Sequence, residues 1–258
     1  MDFKTGLMEF MNAVISWLMK KRMHQIELFI KYPHEVQLEL FKKLMQTARN
    51  TEWGQRYDFK SVATPAGFAS RVPLNDYESL KADIDRLRNG EQNILWPSEI
   101  KWFAKSSGTT SEKSKYIPVS QEALEECHMK CGKDMLSIYC SMKPETRLFA
   151  GRSIAMGGSH QVMEIGNDSY YYQGDLSAIL IQNLPFWAEI IRTPPRSIAL
   201  MNEWESKIEK MAEATLPHDV TSASGVPSWT LLLFKKVLEK TGKTNILEVW
   251  PNFELYMH

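Results

Sequence analysis

Apolar residues recur at helical spacing in the first part of the chain. Two stripes with steps of three and four residues consist of Leu7, Phe10, Met11, Val14, Ile15 and Leu18, and of Val36, Leu40, Phe41, Leu44, Met45 and Ala48. This period predicts two amphipathic helices packed on a core, separated at Tyr32-Pro33. Asn75 is expected to cap a third helix, which starts near Asp76 and ends at Asn89-Gly90. Residues 1–90 are therefore predicted to be mostly helical.

After Gly90, short apolar runs alternate with helical patterns. The predicted strands cover 100–104, 148–151 and 220–223, with a hairpin formed by 161–165 and 169–172. The predicted helices cover 120–141, 197–213 and a segment from Pro227 to Gly242. In the second of these, Glu203 and Lys207 are expected to pair on the solvent side. The alternation favours an α/β fold, in which a helical N-terminal layer precedes a mixed β-sheet with flanking helices over 91–258.

Composition and charge exclude several classes of protein. The 258 residues carry 31 Lys plus Arg and 31 Asp plus Glu, and this balance argues against a general nucleic-acid binder. Three cysteines do not form a disulfide framework and favour a reducing compartment, so we expect a cytoplasmic protein. Cys127 and Cys131 lack a second ligand pair, so we interpret them as buried thiols and predict no metal ligands.

The N-terminal apolar stretch, residues 7–19, does not have the features of a targeting signal. No basic segment precedes it, and it is too short to span a bilayer. Packing of this helix on the protein core is the favoured interpretation, and an interfacial membrane helix is the alternative. We therefore expect no membrane partner.

One loop has the composition of a phosphate-binding segment. Between a predicted strand and a following strand and helix, it contains Ser106, Ser107, Gly108, Thr109, Thr110 and Lys115. Gly108 lets backbone N–H groups approach a ligand closely, hydroxyl groups donate to phosphate oxygens, and Lys115 adds positive charge. The alternative is an ordinary solvated Ser/Thr turn.

The wider pattern resembles a known family. Ser106-Ser107-Gly108-Thr109-Thr110, followed by Lys115 and Pro118, is similar to the first signature of adenylate-forming enzymes. Segments 73–78, 174–178, 221–229 and 249–252 extend the likeness to the auxin-responsive-promoter family of acyl-acid amido synthetases, in a bacterial-like version. The resemblance covers most of the chain.

This resemblance implies a reaction and a set of site residues. ATP, with Mg²⁺, converts a carboxylic acid to an acyl-adenylate, and an amino acid amine then forms an amide and releases AMP. Ser106, Ser107, Gly108, Thr109, Thr110 and Lys115 would hold the nucleotide phosphates. Ser222, Gly225 and Trp229 would line the acyl pocket, although a buried turn with Trp229 in the core is the alternative for that segment. Glu112 departs from the glycine often found in this loop and is expected to face solvent.

The resemblance also implies that parts of such an enzyme lie outside these residues. The family's second signature, its ribose-binding aspartate and its lysine-bearing C-terminal domain have no counterpart here. We therefore expect residues 1–258 to be the N-terminal part of one large domain, inactive alone, with self-association through an unfinished sheet edge. A relative that uses coenzyme A as acceptor, or a non-catalytic module that binds a nucleotide or a partner, remains an alternative.

Overall fold

A computed structural model of the chain describes residues 3–106, 114–166 and 169–258. The chain forms two compact units. The parallel-sheet unit consists of Met1–Met23, Met129–His160 and Asp175–His258, and the mixed-sheet unit consists of His24–His128 and Gln161–Gly174. The α/β fold class is confirmed, but the strands form two four-stranded sheets where the sequence suggested one.

Helices alone occupy the first third of the chain, and strands begin after it. The α-helices are α1 (Phe3–Lys31), α2 (Pro33–Ala48), α3 (Glu52–Arg56), α4 (Pro65–Arg71), α5 (Tyr77–Arg88), α6 (Lys130–Met142), α7 (Leu176–Gln182), α8 (Phe186–Ile191), α9 (Arg196–Ala199), α10 (Trp204–Thr215) and α11 (Pro227–Thr241). The strands are β1 (Trp102–Lys105), β2 (Tyr116–Val119), β3 (Arg152–Ala155), β4 (His160–Gly166), β5 (Ser169–Gly174), β6 (Arg192–Thr193), β7 (Val220–Ser224) and β8 (Leu255–Met257). Short 3-10 turns cover Phe59–Ser61 and Ile246–Glu248, and a π-helical stretch covers Ala123–Met129.

The parallel-sheet unit is built on strands in the order β6-β3-β7-β8. All three strand pairs are parallel, so their carboxyl ends lie at the same edge. Strand β7 is buried along its first four residues, as expected for a strand of a parallel sheet covered on both faces, although its sequence Val-Thr-Ser-Ala-Ser is rich in hydroxyl groups. Helices α10 and α11 cover it with a core that contains Met211, Leu233, Val237 and Trp250, all at most 1% exposed.

The N-terminal helix packs on this unit through a different face from the one the sequence suggested. Ile15 and Met19 are buried in a cluster with Leu148 and Phe149. The predicted core stripe was therefore wrong for most of its members, because Leu7, Phe10, Val14 and Leu18 are 40–67% exposed. The helix rotates so that polar Asn12 reaches the backbone of residues 146 and 149.

The mixed-sheet unit has strands in the order β2-β1-β5-β4. Strand β1 pairs antiparallel with β2 and parallel with β5. The core of the mixed-sheet unit contains Ile84 and Leu87 of α5 together with Ile94, Ile100 and Phe103, all at most 5% exposed. The predicted hairpin is confirmed by the adjacent β4 and β5, and residues 167 and 168 of its predicted turn, 166–168, lie outside the described residues.

Several predicted boundaries were wrong for local reasons. The side chain of Asp76, not Asn75, caps α5 by accepting from the Ser79 N–H. Residues 148–151 form a turn before β3, because the Thr221 hydroxyl donates to the Leu148 carbonyl. The helix predicted over 197–213 is interrupted between α9 and α10, where the Glu203 carboxylate accepts from the Glu205 and Ser206 N–H groups and caps α10.

The exposure of the cysteines and the length of the helices bear on the predictions about metal ligands and membrane partners. Cys127 and Cys131 are exposed, contrary to the expectation of buried thiols, and only Cys140 is buried. Within the described ranges, no group of three or more His, Cys, Asp and Glu residues could hold a metal ion. Across the same ranges, no helix is both long and apolar enough to traverse a bilayer.

Candidate functional site

The predicted phosphate loop starts and ends on neighbouring strands of the mixed-sheet unit. Lys105, the last residue of β1, is the register partner of Tyr116, the first residue of β2. One step further, the Ser106 N–H donates to the Lys115 carbonyl at 2.9 Å, and the Lys115 N–H donates to the Ser106 hydroxyl at 3.2 Å. The loop therefore has a closed, hydrogen-bonded stem formed by Ser106 and Lys115.

The remaining predicted nucleotide contacts are Ser107, Gly108, Thr109 and Thr110. They lie outside the described residues, as does Glu112, so their roles stay predictions.

Aromatic rings surround the stem. The Tyr116 N–H donates to the Tyr77 hydroxyl at 2.9 Å, and the Lys115 ammonium lies 5.6 Å from the centroid of the Tyr77 ring. Next to Tyr77, the pKa of Asp76 is lowered, chiefly by the Ser79 backbone N–H, with the Lys115 charge as a smaller contribution. The carboxylate that caps α5 is therefore kept ionised beside the stem.

Arg88 is a second cation at the stem, and the sequence analysis missed it. Its guanidinium carbon lies 4.0 Å from the centroid of the Tyr116 ring, which is cation–π distance. One guanidinium nitrogen donates to the Tyr171 hydroxyl of β5 at 3.0 Å. The guanidinium also pairs with the Asp85 carboxylate at 3.4 Å, and the Arg88 side chain is 23% exposed, so its charge is shared with one acid and partly open to solvent. An Arg in the last turn of the helix before a phosphate-type loop was the available signal.

The predicted acyl residues belong to the parallel-sheet unit, in and just after β7. In open α/β sheets, ligands bind outside the carboxyl ends of the strands. Gly225 lies at this edge with φ 154°, and a Cβ there would lie 3.1 Å from both the Cβ and the carbonyl oxygen of Met156. Its N–H donates to the Met257 carbonyl at 3.2 Å, so three strand ends converge at Gly225.

The other two predicted acyl residues are engaged in packing. Ser222 is 2% exposed, and its hydroxyl lies 2.9 Å from that of Ser153 on β3. Trp229 is half-buried in the first turn of α11 and packs against Trp204, with ring centroids 5.0 Å apart. Ser222 lies inside β7 and Trp229 lies in α11, so the contact of either residue with an acid stays a prediction.

Lys207 was wrongly predicted to lie on the solvent side of its helix, paired with Glu203. It is 1% exposed, and its ammonium donates to the carbonyl of Gly157 and, at 3.3 Å, to that of Gly158. Burial lowers its pKa to about 8, and the Asp175 charge opposes that shift. Its position three residues after Trp204 and four before Met211 places it on the apolar stripe of α10, which was the missed signal.

The segment held by Lys207 follows the carboxyl end of β3. The Gly158 N–H donates to the Ser177 hydroxyl at 3.0 Å, and the Ser159 N–H donates to the Asp175 carboxylate at 3.2 Å. A Cβ on Gly158 would overlap that carboxylate, so only glycine fits. Lysine, aspartate and serine side chains thus fix a Gly-Gly-Ser turn at the strand edge.

The family of the chain follows from residues 22–258, which match the GH3 family N-terminal domain. The chain belongs to the GH3 family. It is 34% identical over 103 residues to the indole-3-acetic acid-amido synthetase GH3.4 of Arabidopsis thaliana, a segment that covers 40% of this chain and 17% of that protein. It is 29% identical over 107 residues to the jasmonoyl–L-amino acid synthetase JAR6 of Nicotiana attenuata, which covers 41% of this chain and 18% of that one.

A solved structure supports the same fold. The GH3.15 acyl acid amido synthetase superposes with a TM-score of 0.66 at 15% identity, over 92% of this chain and 50% of that protein. The chain thus spans about half the length of this solved relative, and its alignments span less than a fifth of the two amido synthetases above. The resemblance to acyl-acid amido synthetases, in their N-terminal part, is confirmed.

Proposed function

We propose that this chain is the nucleotide-phosphate-holding and acyl-binding part of an ATP-dependent ligase that joins a carboxylic acid to an amino acid amine. The observation that carries the proposal is the match of residues 22–258 to a family in which the relatives above are amido synthetases. The activity of the whole protein, its acid and its amine belong to this proposal.

The chemistry has two steps. A carboxylate oxygen of the acid attacks the α-phosphorus of ATP, and pyrophosphate leaves. The amine nitrogen then attacks the acyl carbon, so that an amide bond forms, AMP leaves and the amine loses a proton. Donors at the phosphate loop favour the first step, because negative charge grows on the leaving pyrophosphate.

The geometry of the stem supports this assignment to the loop. Ser106 and Lys115 close the stem, and Arg88 brings a partly exposed guanidinium to the adjacent Tyr116. These cations are the groups that would suit the negative charge of a nucleoside triphosphate. Mg²⁺ would enter with the phosphates, because it keeps several waters and binds few protein ligands. Ser107, Gly108, Thr109 and Thr110 would supply the remaining donors.

The acid is assigned to the carboxyl edge of the parallel sheet. Gly225 and the Gly157–Ser159 turn line that edge, and Trp229 offers an apolar ring beside it. An apolar wall with a few fixed polar groups is the usual composition of a small-molecule site. A carboxylic acid with an apolar body is the substrate class that suits it.

The first test measures nucleotide binding by the chain itself. A fluorescent ATP analogue is titrated in the presence of Mg²⁺, and competition with unlabelled ATP gives its affinity. Lys115→Ala is expected to weaken binding about tenfold, since it removes one charged contact. The matched control is Lys101→Ala, because that exposed lysine pairs with Glu99 at 3.0 Å away from the loop stem. Equal effects of the two substitutions would contradict the loop assignment.

The second test addresses the reaction. The protein isolated from its source is incubated with ATP, Mg²⁺ and a panel of carboxylic acids, and pyrophosphate exchange is measured. Amino acids and coenzyme A are then supplied in parallel, and product masses are compared. An amide with AMP supports the proposal, a thioester identifies the coenzyme A alternative, and no ATP-dependent exchange with any acid overturns the ligase assignment.

A further inference from the structure

The first turns of α1 carry an apolar face that no described part of the parallel-sheet unit covers. We call it the apolar face, and its members are Leu7, Phe10, Ala13, Val14, Trp17 and Leu18, all exposed. Phe10 is 67% exposed and Trp17 is 54% exposed. Scattered exposed apolar residues are ordinary, but a contiguous patch of this kind marks an interaction surface.

The rotation of α1 is fixed by polar contacts on its other side. The Asn12 amide donates to the Thr146 carbonyl at 3.0 Å and accepts from the Phe149 N–H at 3.0 Å. One turn beyond the buried Met19, Arg22 makes two hydrogen bonds to the Asp134 carboxylate. These contacts fix one side of α1 against the unit, so the apolar face on the opposite side points outward. If α1 rotated to bury the apolar face, the hydrogen bonds of Asn12 and Arg22 would be lost.

Charge distinguishes this face from an ordinary protein contact. The exposed positions that follow it are Lys20 and Lys21, and among the ion pairs of described residues neither is paired with a carboxylate. The acid on its flank, Glu9, is paired with Arg147. The Lys21 ammonium lies 3.6 Å from the centroid of the Trp17 ring. The face therefore combines an uncharged apolar stripe with positive charge at one end.

We propose that the apolar face binds the surface of an anionic lipid bilayer, with α1 lying in the interface. Apolar side chains beside lysines are the composition of interfacial helices, and a Trp with a Lys at its edge suits the headgroup level. A second copy would bring the same positive charge, which opposes pairing, whereas acidic headgroups attract it. This proposal replaces the expectation that the protein has no membrane partner.

The size of the charge contribution sets the expected effects. One lysine near an anionic surface changes the binding constant about fivefold. Lys20→Glu with Lys21→Glu is therefore expected to weaken binding at least twentyfold. Phe10→Ser with Trp17→Ser removes two large apolar side chains and is expected to weaken it by at least tenfold.

The experiment is sedimentation of the 258-residue chain with sucrose-loaded vesicles. One set contains phosphatidylcholine alone, and the other contains phosphatidylcholine with about a third phosphatidylserine, a fraction that gives a strongly negative surface. The control variant is Leu231→Ser on α11, because Leu231 has the same exposed fraction as Phe10, 67%. Circular dichroism and thermal unfolding of each variant establish that it is folded.

The expected result is pelleting with the anionic vesicles that weakens with added salt. Both double variants lose it, and Leu231→Ser retains it. The proposal is overturned if the folded chain does not pellet with phosphatidylserine, or if Phe10→Ser with Trp17→Ser binds as well as the unmodified chain. It is also overturned if the chain dimerises in solution through this face, which analytical ultracentrifugation of the same variant detects.

Discussion

The two units use cationic side chains in opposite ways. In the mixed-sheet unit, Arg88 and Lys115 lie over tyrosine rings at the stem of a loop, where the Arg88 charge remains partly open to solvent. In the parallel-sheet unit, Lys207 is buried and donates to two backbone carbonyls. A partly exposed cation can still bind an anion, whereas a buried one organises the backbone around it and makes the fold sensitive to its protonation.

The largest expected effect concerns that sensitivity. Lys207 titrates at about 8 in the folded chain and at its usual 10.5 when unfolded. Below pH 8 both states are protonated, and the folded state carries the full cost of burying the charge. Between pH 8 and 10.5 only the unfolded state keeps the proton, so the free energy of unfolding rises with pH, by about 3 kcal/mol. The measurement is denaturant unfolding of the unmodified chain and of Lys207→Met across pH 7–10.5. The difference between their free energies of unfolding at each pH gives the contribution of Lys207.

Lys240 provides the control of opposite sign. Hydrogen bonds to Glu209 and Glu213 raise its pKa in the folded state. Its stabilising contribution is therefore complete below its unfolded pKa and is lost as the pH rises through the folded pKa. The difference in free energy of unfolding between the unmodified chain and Lys240→Met should therefore stay flat up to pH 10.5 and fall only above it, unlike the rise expected for Lys207. Parallel curves for the unmodified chain and Lys207→Met would show that the Lys207 ammonium is not buried in solution.

The next effect concerns the Gly157–Ser159 turn, whose carbonyl groups accept from Lys207. Gly158→Ala places a Cβ on the Asp175 carboxylate and is expected to lower the free energy of unfolding by about 2 kcal/mol. Gly132→Ala on α6 is the matched control, because no atom lies within 4 Å of its added Cβ. That control should be neutral or stabilising by about 0.5–1 kcal/mol, since alanine favours a helix interior. Chemical denaturation measures both, and a Gly158→Ala variant as stable as the control contradicts the overlap.

A smaller effect is expected at the loop stem. Arg88→Lys keeps the charge but loses the planar stacking on Tyr116 and the geometry of the Tyr171 hydrogen bond. The affinity for ATP with Mg²⁺ should fall about fivefold, with little change in stability, because the side chain is partly exposed. Arg86→Lys on the same helix is the control, as Arg86 pairs with Glu52 and Glu91. If Arg86→Lys lowers the affinity as much as Arg88→Lys, the Arg88 role at the stem is wrong.

The smallest effect concerns two exposed ion pairs of Lys236 on α11, one to α10 and one within α11. Lys236→Ala removes contacts to Glu209 and Glu239, both between side chains more than a third exposed. Such pairs are worth about 0.5 kcal/mol near neutral pH and are weakened by salt. Unfolding at low and high salt should therefore bring the variant and the unmodified chain together. A salt-independent cost above about 1 kcal/mol would indicate a packing role of the lysine stem.

The sequence predicted the parts of the fold that local patterns determine. The break at Tyr32-Pro33, the start of α11 at Pro227 and its end at Gly242, with φ 67°, follow from backbone constraints of single residues. The strand β7 and the strands β1 and β2 on either side of the predicted loop were likewise predicted from local sequence. These features need no information about distant parts of the chain.

What the sequence could not predict depends on tertiary partners. The rotation of α1 is determined by Asn12, which bonds to the backbone between α6 and β3, and by Arg22, which bonds to Asp134 on α6. The apolar stripe alone therefore predicted the wrong face. Lys207 looked like a surface residue because burial of an unpaired ammonium is costly, and only the Gly157 and Gly158 carbonyls make it tolerable. The stacking of Arg88 on Tyr116 likewise joins α5 to β2, which are separated in the sequence by β1 and the predicted phosphate loop.

The all-parallel connectivity of β6-β3-β7-β8 has a consequence for synthesis on the ribosome. Asn12 bonds to a residue 137 positions later, and Lys143 pairs with Glu254, 111 positions away. The second contact cannot form until Glu254 has left the exit tunnel, and contacts this distant in sequence make folding slow. During that interval β7 can pair with the earlier β3, but its other edge stays open, so the nascent chain should expose an unpaired strand edge until β8 arrives.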